Sequence, residues 1–399
     1  MGYLKRGQVV RVVSDLVSVL HSYETDKEVR FVDRVAEVEW LLDKLITKWA
    51  GYITVLYGPK GCGKTTFFRA LDWASHRLNL HERGHSLIVI EYDPESGYVI
   101  LRGPKGLLEK VMNILGLGIL RRLLLFKSTE FKVRLATPLG LTTSYLEISV
   151  GGSPHPNPHM RVFVDVLHGL LERLEEGVNY VVVVDEYRVV DVERLIASLN
   201  VLANRVKDLN MVAQKKGSTI SVVITTSDAK VVEARYRVGD KVMWALIWNL
   251  PRQDADELAR NLNLYESVSN ELGLDGGSVK ELLWKLSGGN PRALKRIKEL
   301  GLKEWLARSI IDPMVNLSTI LGKEIFLDYF KEIVDNVDSI QGSHREFHQE
   351  FLKENIVVNV SAAYYSVSEL PKGEPWIGKR LAFQLPAYYY TIRAMIRKG

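Results

Sequence analysis

The run ITVLY, residues 53–57, is followed at once by GPKGCGKTT and then by the helical pattern TTFFRALDWASHRL. G-x-x-x-x-G-K-[ST] between a strand and a helix is the context in which a phosphate-binding loop works. Glycines at 58, 61 and 63 let the backbone turn tightly, so that consecutive N–H groups converge on one point. The N-terminus of the following helix adds partial positive charge there. The pattern predicts that Gly58, Pro59, Lys60, Gly61, Cys62, Gly63, Lys64, Thr65 and Thr66 cradle a nucleoside triphosphate, ATP with Mg²⁺. Lys64 would neutralise the β- and γ-phosphates and Thr65 would ligate the metal.

Three more runs rich in β-branched residues accompany ITVLY: SLIVIEYD ending at Asp93, YVVVVD ending at Asp185, and ISVVITTS ending at Ser227. All are mostly continuous rather than alternating, as strands buried on both faces of a parallel sheet are. Helical stretches lie between them, which predicts an α/β fold with a parallel sheet between two helical layers. In such sheets ligands bind at the carboxyl ends of the strands. YVVVVDE places Asp185 there, predicted to hold Mg²⁺ through its water shell. The next residue, Glu186, is placed to polarise an attacking water as the general base. Thr226, at the end of ISVVITTSD, is the candidate to hydrogen-bond that water or the γ-phosphate, although strands also end in Thr and Ser because turns begin there. The NKxD guanine reader of a GTPase is absent from the sequence.

A chain of 399 residues exceeds one ordinary core and suits two or three compact units. Residues 1–30 read as a helical extension, VRVVSDLVSVLHSY, and a second helix is expected over FVDRVAEVEWLLDKLITKWA, with Val35, Val38, Leu41, Leu42 and Leu45 on one stripe. Residues 31–250 are expected to form the ATP-binding domain, interrupted over about 94–158 by an inserted helix and a β-hairpin, FKVRLAT and TSYLEISV. The turn-rich GGSPHPNPH follows, and then the helical MRVFVDVLHGLLERLEEG. Residues 251–301 read as a helical lid, and 302–399 as helices with a strand-like end, VVNVSAAYYSV and KRLAFQLPAYYYTIRAMI. Hydrophobic residues at 46% and charged residues at 25% suit a folded soluble chain. The single cysteine, Cys62, excludes an intramolecular disulfide and a cysteine-based zinc site, and points to a cytoplasmic setting. The most apolar segment, ILGLGILRRLLLF, is cut by two arginines and falls short of the ~20 residues of a membrane span.

Taken in order, FVDRVAEVEWL, GPKGCGKTT, YVVVVDEYR, ISVVITTSD and GGNPRAL resemble the archaeal ATPases of the STAND branch of AAA+ proteins, relatives of the origin-binding Orc/Cdc group. The resemblance covers roughly residues 28–300. It implies a three-layer P-loop NTPase sheet of the AAA+/ASCE kind, a helical lid and a winged-helix-like C-terminal domain. It further implies that Phe31, Asp33 and Arg34 lie near the adenine, and that Arg292 of GGNPR approaches the phosphates from the lid. Between Lys64 and Asp185 the spacing is stretched by the inserted segment, so no role for that insert carries over. No dependable arginine finger is visible; Arg188 and Arg252 are candidates by position, and each reads better as a surface charge.

Further constellations carry less. His155 and His159 sit in the turn-rich loop without a third patterned ligand. HREFH gives His344 and His348 the helical i, i+4 spacing but puts the Glu at the wrong place for a metalloprotease, so they read as exposed helix histidines. From Pro375 to Gly399 there is no Asp or Glu, while Lys379, Arg380, Arg393, Arg397 and Lys398 alternate with Tyr388, Tyr389 and Tyr390. Cations beside aromatics suit DNA or RNA, whereas the apolar AFQLPAYYYTIRAMI equally suits a packed strand and helix. The expected function is an ATP-hydrolysing switch acting on a macromolecular partner, protein or a second copy. A DNA-binding AAA+ ATPase and a nucleotide-dependent scaffold with little turnover are the alternatives.

Overall fold

The computed structural model describes residues 6–25, 29–32, 34–48, 50–93, 98–104, 107–109, 131–136, 144–150, 175–185, 192–321, 323–341 and 345–398. Helix α1 (Arg6–Leu20) comes first, followed by α2 (Val35–Trp40). α2 runs on as a π-helical stretch over Leu41–Lys48, so the single regular helix expected there changes its winding halfway. The strand β1 (Ile53–Tyr57) then delivers the glycine-rich loop, and α3 (Lys64–Arg77) leaves it. The sheet continues with β2 (His85–Asp93), β3 (Tyr98–Gly103), β4 (Phe131–Ala136), β5 (Ser144–Val150), β6 (Asn179–Val184), β7 (Thr219–Thr226) and β8 (Val242–Leu246). The long α4 (Val192–Lys215) connects β6 to β7.

With the short β10 (Tyr365–Ser366) from the C-terminal part at its edge, the nine-stranded sheet has the order β10-β8-β1-β7-β6-β2-β3-β5-β4. β1 lies parallel between β7 and β8, with Ile53 opposite Val222 and Val242, and β6 lies beyond β7 with Val182 opposite Val222. One strand thus separates the phosphate-loop strand from the strand ending at Asp185, the ASCE arrangement of P-loop NTPases. β3, β5 and β4 extend the sheet antiparallel beyond β2. The expected hairpin from FKVRLAT and TSYLEISV is therefore present as β4 and β5. Of the expected insert helix only residues 107–109 are described, and they are helical; His155, His159 and the segment MRVFVDVLHGLLERLEEG lie outside the described residues, except for the last residues of that segment.

Period-2 alternation assigns the strand residues to two cores. Ile53, Val55, Val182, Val184, Ile220, Val222 and Ile224 face a core shared with Leu195, Leu199, Leu202 and Val206 of α4. Leu56, Val181, Val183 and Val223 face the opposite core, shared with Val12 and Leu16 of α1, Val38 of α2, and Phe67, Phe68 and Leu71 of α3. Each such side chain contributes roughly 1.5–3 kcal/mol on burial, so the strand ends that carry the site are held firmly from both faces.

Beyond β8 the chain is mostly helical: α5 (Arg252–Asn261), α6 (Leu264–Leu272), α7 (Gly276–Ser287), α8 (Pro291–Leu300), α9 (Leu302–Leu306), α10 (Asp312–Leu321), α11 (Lys323–Asp335) and α12 (Arg345–Lys353). Next come β9 (Val357–Asn359), β10 (Tyr365–Ser366), β11 (Leu381–Phe383) and α13 (Pro386–Lys398). β9 and β11 pair antiparallel, Val357 opposite Phe383, while β10 joins the edge of the large sheet parallel to β8. These helices and the β9–β11 pair share a third core around Trp284, Trp305, Tyr329, Phe351 and Phe383.

That core absorbs the tail's aromatics. Tyr388 and Tyr389 are buried, their hydroxyls donating to the carbonyls of Ser309 and Val334. These two present no ring to a base, so the packed reading holds for them; Tyr390 is half-buried and meets Trp376 and Tyr389 edge-on. Lys379, Arg380, Arg393 and Arg397 remain exposed. His348 on α12 is half-buried rather than exposed, and burial holds its imidazole pKa below the ordinary histidine value. His344 lies outside the described residues.

Candidate nucleotide site

The loop after β1 is shaped by close backbone approaches. A Cβ on Gly58 would lie 1.9 Å from the Ile247 carbonyl oxygen, and one on Gly61 would lie 2.5 Å from Cβ of Arg292. Gly61 and Gly63 also stand at φ +86° and +100°, in the left-handed region that glycine occupies without a Cβ penalty. Gly63 is the N-cap of α3, so the free amides of the first helical turn open at the end of the loop. α3 is fixed there by Phe67, Phe68, Ala70, Leu71 and Ala74, all buried.

Lys64 is 5% exposed and its Nζ lies across the mouth of this turn. It donates to the carbonyls of Gly58 (3.0 Å) and Pro59 (3.1 Å) and sits 3.5 Å from Cys62 Sγ. The ammonium is thus held inside the loop by the carbonyls that face away from the amides. Cys62 itself is fully buried.

The loop and helix α8 flank a cavity of about 330 Å³. Gly61, Cys62, Gly63, Lys64, Thr65 and Thr66 line one side. Pro291, Arg292 and Lys295 of α8 line the other, with Leu250, Leu258 and Leu262 below them. Thr25, Val29, Arg30, Phe31, Val32 and Arg34 close the end away from the strands, and Ser227 reaches in from the end of β7. One end is polar and rich in amides; the other offers Phe31, Val32, Leu258 and Leu262 as apolar surface for a flat ring.

Asp185 follows β6, is 2% exposed, and its N–H donates to the Ile90 carbonyl. Thr225 Oγ1 donates to Asp185 Oδ1 at 2.5 Å, so Thr225 is the β7 hydroxyl that meets this acid. The hydroxyl of Thr226 accepts from the Asp228 N–H at 3.0 Å, the ordinary work of a threonine at a turn. Glu186 and Asp33 lie outside the described residues, as does Arg188. Arg252, the other finger candidate, is exposed and paired with Glu281.

Arg34 lines the cavity with Phe31 and Val32 and also bonds the loop. Standing at φ +86° as N-cap of α2, it is 3% exposed and bonds the Cys62 carbonyl, the Trp248 carbonyl (3.2 Å) and Glu37. Its guanidinium therefore braces the loop from behind, although it still lines the cavity. Arg292, by contrast, is exposed at the cavity, while its backbone N–H donates to the Gly61 carbonyl at 3.3 Å.

Sequence reasoning passed over Asn290, the residue before Pro291 in GGNPR. Its Oδ1 caps the Ala293 N–H, and its Nδ2 donates to the Lys60 carbonyl (3.0 Å) and to Asn249 Oδ1 (2.9 Å). Asn followed by Pro is a strong helix-start signal, so the cap was readable; its bridge to the loop was not.

Residues 31–297 match the sequence profile of a family described as an ATPase domain predominantly from Archaea. The match covers well over half of the chain. The chain belongs to this family. At family level it carries a nucleotide-binding ATPase domain. Among curated proteins no match is found. Two solved structures align along most of their length. The Aeropyrum pernix ORC2 protein in ADPNP–ADP complexes is 13% identical with a TM-score of 0.37, covering 94% of this chain and 96% of that one. Drosophila ORC bound to DNA is 13% identical with a TM-score of 0.30, covering 91% and 73%. Among the described residues no helix is long and apolar enough to cross a membrane, and no group of three or more His, Cys, Asp or Glu could hold a metal by itself.

Proposed function

We propose that this chain is a Mg²⁺-dependent ATPase of the archaeal STAND/AAA+ type, a cytoplasmic switch whose ATP state repositions the lid and a winged-helix-like C-terminal part against a macromolecular partner. What supports this most is that the phosphate loop, Lys64 and the exposed Arg292 line one cavity of about 330 Å³ to which Phe31, Val32, Leu258 and Leu262 add apolar surface. An anion with an attached flat base fits both ends at once.

The oxygen donors available, the Thr65 hydroxyl and the buried Asp185 carboxylate, are the hard ligands Mg²⁺ prefers, and these two residues would hold it. Bound there, the ion would neutralise charge on the phosphates. The loop amides and Lys64 bind and orient the phosphates, once Lys64 leaves the carbonyls of Gly58 and Pro59. Arg292 reaches the γ-phosphate from the lid. Glu186, next to Asp185, takes the proton of the attacking water. Ser227, which lines the cavity, is better placed than Thr226 to orient that water, because the Thr226 hydroxyl is engaged by Asp228. Phe31 and Val32 pack on the base.

The test is single-turnover hydrolysis beside an independent binding titration. Glu186→Gln keeps shape and hydrogen bonding but removes the base, so Mg·ATP binding persists while turnover falls by roughly 10²–10⁴-fold. Asp185→Asn weakens the Mg²⁺ dependence itself. Hydrolysis by Glu186→Gln at the parental rate would place the base elsewhere. A parent that binds ATP and turns over nothing would favour the nucleotide-dependent scaffold. The exposed Lys379, Arg380, Arg393 and Arg397 support a second reading of the partner as DNA or RNA, gripped through phosphates without stacking.

A further inference from the structure

We propose that Gln384, from the C-terminal part of the chain, is a positioning residue of the phosphate loop, so that docking of the β9–β11 pair sets nucleotide affinity. The proposal rests on the reading of residues 58–66 as a nucleotide-binding loop.

The Lys60 residue is held at both of its backbone groups. Its N–H donates to Gln384 Oε1 at 2.7 Å, and its carbonyl accepts from Asn290 Nδ2 at 3.0 Å. Lys60 immediately precedes Gly61, where the chain enters the left-handed region and turns its amides toward the cavity. Fixing the Lys60 N–H away from the cavity and its carbonyl on the lid determines how the next peptides face. With the Gln384 acceptor removed, that N–H is left without its partner, and a rotated peptide is the cheapest way for it to find another.

Gln384 itself is over-determined. It is 3% exposed and directly follows β11. Its N–H donates to the Ile356 carbonyl at 2.9 Å, its carbonyl accepts from Asn249 Nδ2 at 3.1 Å, and its Nε2 points to the Val357 carbonyl at 3.5 Å. Three of its polar groups are thus spent on placing the fourth, Oε1, against the loop. Packing agrees with the polar geometry: a Cβ on Gly288 of the lid would come within 2.6 Å of Pro386, so lid and C-terminal part already lie in close contact beside the site.

A second brace comes from the same part of the chain. Ser368 Oγ donates to Glu37 Oε1 at 2.7 Å and accepts from the Trp248 N–H at 3.1 Å, and Glu37 pairs with Arg34, which bonds the Cys62 carbonyl. The C-terminal part therefore reaches the loop directly at Lys60 and through two intermediaries at Cys62. By linkage, whatever pulls the β9–β11 pair away lowers nucleotide affinity, and nucleotide in turn holds the pair in place.

The experiment uses the full chain with Mg·ADP and Mg·ATP, titrated well below each variant's unfolding temperature, together with amide hydrogen exchange over residues 356–384. Gln384→Leu should weaken both nucleotides about tenfold, the scale of one lost hydrogen bond with its partner left unpaired. In the parent, nucleotide should slow exchange across the β9–β11 pair; in Gln384→Leu that slowing should vanish, a change that a merely structural role would not produce. Gln384→Asn, one methylene too short to reach Lys60, gives the same reading if the leucine variant does not fold. Affinities within twofold of the parent, or nucleotide-independent exchange over 356–384 in the parent, would overturn the positioning role alone. A parent that binds neither nucleotide would overturn the nucleotide reading and this proposal with it.

Discussion

On the loop side of the cavity several polar groups are already engaged. Lys64 is bonded to the carbonyls of Gly58 and Pro59, Lys60 is fixed at its N–H and carbonyl, and the Cys62 carbonyl is held by Arg34. On the lid side, Arg292 is exposed and Lys295 half-buried, and neither side chain makes a hydrogen bond or ion pair among the described residues. On the proposed reading the backbone of the loop wall is preorganised and contributes affinity at little ordering cost, while Lys64 must first leave the Gly58 and Pro59 carbonyls. The lid wall must order its cations on the ligand, and a group that reaches only the γ-phosphate can distinguish one nucleotide from another. On that reading, affinity and discrimination fall to opposite walls.

Breaking the preorganised wall should cost most. Gly58→Ala puts a methyl group 1.9 Å from the Ile247 carbonyl oxygen, a backbone atom that cannot swing aside. It is expected to destabilise the chain on the order of 3 kcal/mol and to remove binding of both nucleotides, read by thermal unfolding and titration. On the other wall, Arg292→Ala should leave stability and ADP affinity near parental values while weakening ATP about tenfold, the worth of one charge-assisted hydrogen bond. Equal losses for ATP and ADP would assign Arg292 to the fixed side and blur the division. Lys295→Ala, one turn further along α8, should cost both nucleotides only a few-fold, because a half-exposed cation is well screened.

The smallest effect is expected away from the cavity. If the exposed tail grips nucleic acid, replacing Arg393 and Arg397 with Ala should reduce the log-log salt slope by roughly 0.9 per residue on duplex DNA, without changing ATP affinity. A salt slope untouched by the pair, or no binding at low salt, would remove DNA and RNA from the list of partners for this surface.

Much of the sheet and the loop was legible because both are local. Strand, glycine spacing and helix stand next to one another in GPKGCGKTT, and the valine run before Asp185 needs no distant context. β8, VMWAL, escaped because methionine, tryptophan and alanine interrupt the β-branched signature, although the strand is almost wholly buried against β1. β10 is two residues long and exists only because the edge of β8 is there to pair with. Within the site, the roles of Arg34, Asn290 and Gln384 were hidden for the same reason: their partners are 28, 230 and 324 positions away along the chain. The tail misled through composition, since tyrosines between cations look alike whether they stack on bases or pack against Val334 and Ser309.

The central claim, that residues 58–66 hold the phosphates of a nucleotide, is tested most directly by equilibrium titration of Mg·ATP and Mg·ADP against the parent and Lys64→Ala, with the unfolding temperature of each measured alongside. Lys64 lies in the loop rather than in any of the three cores, so the variant should fold. The account predicts binding by the parent, a loss of about a hundredfold or more for ATP in Lys64→Ala, and unfolding temperatures within a few degrees of one another. Parental affinity retained by a folded Lys64→Ala would contradict it.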